Sequence, residues 1–169
     1  MERQLADEPI RRAVTVPVPV DRAFSAFADL ARWWPREYTW AADTLEDIGI
    51  EPREGGHCFE RGPDDFTCHW GRVLTWDPPA RLVLVWQIAP DRVPEPNPAK
   101  ASDVEVRFHP TGMSGTRVEL EHRAFARHGD SGDTYRQAMA SPRMAPAPRP
   151  LRRHPPLTRA GTGPPNPLL

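Results

Sequence analysis

Thr116-Arg117-Val118-Glu119-Leu120-Glu121-His122-Arg123 is the stretch on which the fold turns. Successive side chains of a strand point to opposite faces. Thr116, Val118, Leu120 and His122 therefore share one face, and Arg117, Glu119, Glu121 and Arg123 share the other. One face is covered and one is wet, the mark of an antiparallel sheet packed on a single side. A turn at Thr111-Gly112 to Ser114-Gly115 separates this strand from residues 103–109, where Val104, Val106 and Phe108 line up. Before a Pro-rich connection, residues 81–88 place Leu82, Leu84, Trp86 and Ile88 on one face. Residues 57–61 and 67–76 read as a hairpin around Gly62-Pro63-Asp64-Asp65, and Leu45, Ile48 and Ile50 mark a further strand ahead of it.

Two segments at the ends of this meander complete the pattern. Residues 10–16 are rich in β-branched side chains and form a first strand, which Pro17 and Pro19 end. The spacing of Phe24, Phe27, Ala31 and Trp34 predicts a helix from about Asp21, as N-cap, to Trp34, stopped by Pro35. A second helix is expected over residues 132–140. One long helix beside six to seven antiparallel strands is α+β. The chain has no strand–helix repeat, no GxGxxG and no GxxxxGK[ST], which argues against the nucleotide-binding α/β folds.

The 169 residues are 38% hydrophobic and 27% charged, within the range of a soluble globular protein. No apolar run is long enough to cross a bilayer, and Met1–Arg12 has no apolar segment of the kind a secretory signal carries. With only Cys58 and Cys68, a disulfide scaffold is not expected, and the expected location is the reducing cytoplasm. Proline is the outlier: nine of the 22 fall in residues 142–169, with five arginines and no acid. The tail thus carries +5 and residues 1–141 carry −6, so the body lacks the clustered positive charge that nucleic acid requires. The expected organisation is a flexible N-terminus over 1–9, one domain over 10–141 and a disordered Pro/Arg-rich tail over 142–169.

Several segments carry a family resemblance. They are Val16-Pro17-Val18-Pro19-Val20-Asp21-Arg22-Ala23-Phe24, Arg32-Trp33-Trp34-Pro35, Ile50-Glu51-Pro52-Arg53-Glu54-Gly55-Gly56 with Glu60-Arg61-Gly62, residues 70–79 running into 81–88, and residues 115–123. In this order they resemble the START-like (SRPBCC) superfamily, in the bacterial branch similar to the activator of heat-shock-protein-90 ATPase (AHSA-type) domain. The resemblance spans residues 10–141. It implies a helix-grip fold, in which a curved antiparallel sheet wraps a long C-terminal helix above a cavity. It also implies a last helix carrying a Trp and several Leu, and there this sequence departs. After Met139-Ala140-Ser141 come prolines at 142, 146, 148 and 150, each of which costs about 3 kcal/mol inside a helix. A truncated helix ending near Ser141 is expected, followed either by a shifted reading frame of GC-rich DNA or by a native disordered tail. A helix cut short leaves apolar sheet surface open, which favours homodimer formation or aggregation.

The candidate site follows from residue parity. Six tryptophans stand in or beside the helix and on strands; such rings line apolar pockets or fill cores. On residues 67–76, parity groups Cys68, Trp70, Arg72, Leu74 and Trp76. An inward Arg72 would need Glu60 or an acidic ligand as partner; the alternative is a place on the rim. His122 faces inward with Val118 and Leu120, as a core residue or as a base without a carboxylate on its own face. His57-Cys58 and Cys68-His69 look like a zinc set, but neighbours in a strand cannot both face one metal. No GxSxG elbow is present. The reading is a non-enzymatic domain with no metal or cofactor, binding a small apolar or amphipathic molecule through Phe27, Trp34, Trp70, Arg72, Trp86, Phe108 and His122. The resemblance keeps two alternatives open: a co-regulator of a chaperone ATPase acting through its surface, and a cyclase-like or hydrolase-like enzyme.

Overall fold

The computed structural model describes residues 5–141. Seven antiparallel strands form one curled sheet: β1 (Ile10–Val16), β2 (Asp47–Ile50), β3 (His57–Arg61), β4 (Thr67–Asp77), β5 (Arg81–Trp86), β6 (Ser102–Thr111) and β7 (Gly115–Arg123). Their order is β1-β7-β6-β5-β4-β3-β2, so β2 to β7 run as a meander and β1 closes on β7. Helices α1 (Val20–Ala28) and α2 (Leu30–Trp33) follow β1, and α3 (Gly132–Ala140) ends the described chain. The sheet, the N-terminal helix and the short last helix make the α+β helix-grip architecture. The expected Pro/Arg-rich tail, 142–169, lies outside the described residues.

The helix expected as one piece is two. Pro19, not Asp21, occupies the N-cap, and Asp21 sits in the first turn, where its charge suits the helix dipole. Asp29 leaves helical geometry at φ −85° and ψ 72°, and α2 restarts at Leu30. The restart turns the face, so Leu30 is buried in place of the expected Ala31, which is exposed. Trp34 is extended ahead of Pro35, as the clash with a following proline ring demands.

β4 does not keep a single parity. Cys58 pairs with Gly71 and Phe59 with His69, which leaves Trp70 as an extra residue. Val73 pairs with Leu84 and Thr75 with Val83, which leaves Leu74 as another. Each bulge moves the following residues to the opposite face. Val73 therefore turns inward, 1% exposed, while Arg72 and Leu74 turn outward and are exposed.

The concave face carries the core: Trp70, Leu82, Leu84, Trp86, Val104, Val106 and Phe108 under Phe24, Trp34, Tyr135 and Met139. On the convex face Glu105 is buried yet ionised. Burial raises its carboxyl, but hydrogen bonds from Arg123, Arg107 and Arg81 outweigh this and hold it at about 2. Asp103 beside it accepts from Arg127 at 2.9 Å. These pairs flank Val83 and Val85, which are buried on the same convex side.

Candidate functional site

Aromatic rings run in contact across the concave face from α1 to α3. Phe24 meets Phe108 at 5.1 Å between centroids, Phe27 meets Phe108 at 5.8 Å and Trp33 at 5.7 Å. Trp33 leads to Trp34 at 5.6 Å, and Trp34 to Trp70 at 5.5 Å and Trp86 at 6.4 Å. Trp86 reaches His122 at 6.0 Å, His122 reaches Phe125 at 4.3 Å, and Phe125 reaches Tyr135 at 5.9 Å. None of the three tryptophans expected to line a cavity borders open space. Trp34, Trp70 and Trp86 fill the core, while Trp33, which parity had not singled out, stands beside open space.

That open space is a groove of about 520 Å³ between α1 and the β1, β7 and β6 part of the sheet. Its walls include Phe27, Trp33, Val14, Phe108, Val118 and Leu120. Val14 is 57% exposed although it shares the concave face with buried Ile10, so this end of the cup is not covered by any described residue. Arg12 closes the groove where α3 ends: its Nη2 donates to the Ala140 carbonyl at 3.1 Å. A cation at that point also complements the C-terminal pole of the helix. α3 itself stops at Ala140, with Ser141 extended at ψ 130°.

Of the seven residues expected at the site, Phe27 and Phe108 line the groove. Arg72 requires a correction. The bulge at Trp70 reverses its face, so it points to solvent from the convex side. Glu60, considered as its partner, faces inward instead and accepts the Ala41 N–H at 2.9 Å and the Trp40 N–H at 3.2 Å. Burial pushes the Glu60 carboxyl up to about 7 against the pull of those two hydrogen bonds.

His122 lies in the core beneath α3, not on the groove. Its Nε2 is 2.7 Å from the Ser102 hydroxyl, and His128 Nε2 approaches the same oxygen at 3.1 Å. One hydroxyl has one proton, so Ser102 donates to one ring and accepts from the other. Burial pushes His122 down to about 3, and the neighbouring His128 adds to this; burial likewise lowers His128 to about 4. Both imidazoles are neutral in ordinary conditions. No carboxylate reaches His122 among the described residues, so it lacks the orienting partner that a general base uses. Tyr135 is next to this cluster; its hydroxyl accepts from Trp86 Nε1 at 3.0 Å and donates to the Ile88 carbonyl at 2.7 Å.

The residues weighed as a zinc set divide between faces. His57 and His69 stack at 4.2 Å on the convex side, whereas Cys58 is fully buried in the core. Burial raises both thiols, that of Cys68 to about 12, which keeps them protonated and poor ligands.

Comparison with known proteins fits this geometry. The family model described as Activator of Hsp90 ATPase homolog 1-like protein matches residues 17–140. Among solved structures, the anthrahydroquino-γ-pyrone synthase Txn09 is 36% identical, with 79% of this chain and 88% of that chain covered at a TM-score of 0.55. CalC, a self-sacrificing resistance protein from Micromonospora echinospora, is 26% identical, with 78% and 83% covered at a TM-score of 0.52. No curated protein matches the sequence.

Proposed function

Taking as premise that the chain belongs to the Activator of Hsp90 ATPase homolog 1-like family, we propose that it binds a small, flat apolar or amphipathic molecule in the groove between α1 and β1, β7 and β6. The observation that carries this reading is the groove itself. Aromatic and branched apolar side chains form its walls, and its volume is that of a small-molecule site. The relative Txn09 adds support, because its name makes it a synthase of a fused-ring pyrone. A rigid polycycle loses little conformational entropy on binding and buries much apolar area, so such a ligand suits walls built from Phe27, Trp33 and Phe108.

Calorimetric titration with an anthraquinone tests this. Binding to the wild type and its loss in Ala26→Phe, which adds a ring at an exposed wall position of α1, are expected. Equal binding by both would place the ligand elsewhere and refute the reading.

Ring closure on the bound molecule is a second reading, favoured by the identity to a synthase. The groove's own residues support binding over catalysis. Among the described residues that line it, Arg12 is the one ionisable side chain, and a guanidinium does not serve as a base. Turnover of a polyketide-like substrate by the purified chain would reverse that preference. Co-regulation of a chaperone ATPase has the family's description behind it, and stimulation of such an ATPase by the chain would favour it over the groove.

A further inference from the structure

The apolar walls of the groove do not account for the charge at its end. Arg12 pairs with Leu120 across β1 and β7, so it stands on the concave face with Ile10 and Val14. Its Nη1 donates to the Arg11 carbonyl at 2.9 Å and its Nη2 to the Ala140 carbonyl at 3.1 Å. These two bonds hold the guanidinium in place and leave the rest of its five N–H groups to be used. Among the described residues no carboxylate meets it. Arg11, next in sequence but on the convex face, is paired with Glu121 at 2.9 Å. Glu119 belongs to that convex face too, where Arg117 holds it at 2.9 Å. The strand alternation therefore sends both β7 carboxylates away from the groove. What remains at the groove's end is one exposed positive charge, held in direction by two backbone carbonyls and bordered on its inner side by apolar side chains.

We propose that Arg12 recognises an anion. The groove takes an amphipathic organic acid whose apolar body lies on Phe27, Phe108 and Val118 and whose carboxylate or phenolate meets the Arg12 guanidinium. This rests on the groove reading above and narrows it from apolar molecules in general to organic anions. Planar, multidentate donors on a pinned side chain are what a carboxylate is best held by. Residues 14, 118 and 120 supply no competing acceptor side chain, so the ligand's own anion is the group that completes the site.

A matched pair of probes tests the proposal: anthraquinone-2-carboxylate and anthraquinone-2-carboxamide, which share a shape and differ in charge. Both are titrated calorimetrically into the intact chain, Arg12→Met and Arg12→Lys, at low and high salt. The wild type should prefer the carboxylate by about two- to fivefold, as expected for one ion pair at an exposed guanidinium. That preference should weaken in high salt, persist in part in Arg12→Lys and vanish in Arg12→Met, which weakens carboxylate binding more than carboxamide binding. Equal affinity of the wild type for both probes, or a preference that survives in Arg12→Met, overturns the anion proposal and leaves the groove reading standing. Loss of both probes in Arg12→Met alone would make Arg12 a brace for α3 and also overturns it. Binding of neither probe by the wild type overturns both readings.

Discussion

Tyr135→Phe removes one oxygen and strands two buried groups. The Tyr135 hydroxyl joins α3 to the sheet by accepting from Trp86 Nε1 and donating to the Ile88 carbonyl. Trp86, Ile88 and Tyr135 are at most 3% exposed, so water does not replace the lost partner. A buried donor or acceptor left unpaired costs about 1–3 kcal/mol. Two such groups, less the cost of burying the hydroxyl itself, give a destabilisation of about 3 kcal/mol. For a domain of this size that lowers the thermal midpoint by about 10 °C. The phenyl ring keeps its contact with Phe125, so the loss reports the hydrogen bonds and not a cavity. Thermal and urea unfolding followed by circular dichroism provide the assay, and Tyr135→Leu, which also empties ring volume, should cost more. A Tyr135→Phe midpoint within about 2 °C of the wild type would refute the claim that this hydroxyl fastens α3 to the sheet.

Three further outcomes follow from the same geometry. His122 has an ordinary value of 6.5 and a folded value of about 3, so below 6.5 the unfolded chain takes up a proton that the folded one refuses. Its contribution is full above pH 6.5 and falls toward pH 3 by about 1.4 kcal/mol per pH unit; the slope of urea midpoints against pH should flatten in His122→Gln. Glu60 acts in the opposite sense, with an ordinary value of 4.5 and a folded value of about 7. Its contribution is full below pH 4.5 and is lost as pH rises to about 7, a decline that unfolding of Glu60→Gln between these values should lack. Deletion of Leu74 removes an extra, exposed residue and restores regular pairing of β4 with β5, so it should cost no more than about 1–2 kcal/mol. Soluble expression and melting of the deletion variant check this.

What the sequence reveals and what it hides can be seen on neighbouring strands. β7 alternates without interruption, and the faces of Thr116, Leu120 and His122 follow directly from residue number. β4 is longer, and two extra residues reset its parity, which is why Arg72 reads as inward and stands outward. Gly71 was the available signal. A glycine inside a strand often marks a bulge or a close approach, and a Cβ there would come within 2.8 Å of the Val85 carbonyl. The break at Asp29 had no comparable mark in the spacing of Phe24, Phe27 and Trp34. Arg12 was legible by parity with Ile10 and Val14, but its meaning was not, because its partner Ala140 lies at the far end of the domain. Contacts of that separation depend on packing, which local pattern does not encode.

The continuous line of rings has a spectroscopic consequence. Indoles 5.5 to 6.4 Å apart pass excitation among themselves faster than they emit. Trp33, Trp34, Trp70 and Trp86 therefore behave as one antenna whose outermost member borders the groove. An electron-poor polycycle lodged beside Trp33 would darken the buried rings as well, so a single bound molecule should extinguish far more light than its one neighbour emits.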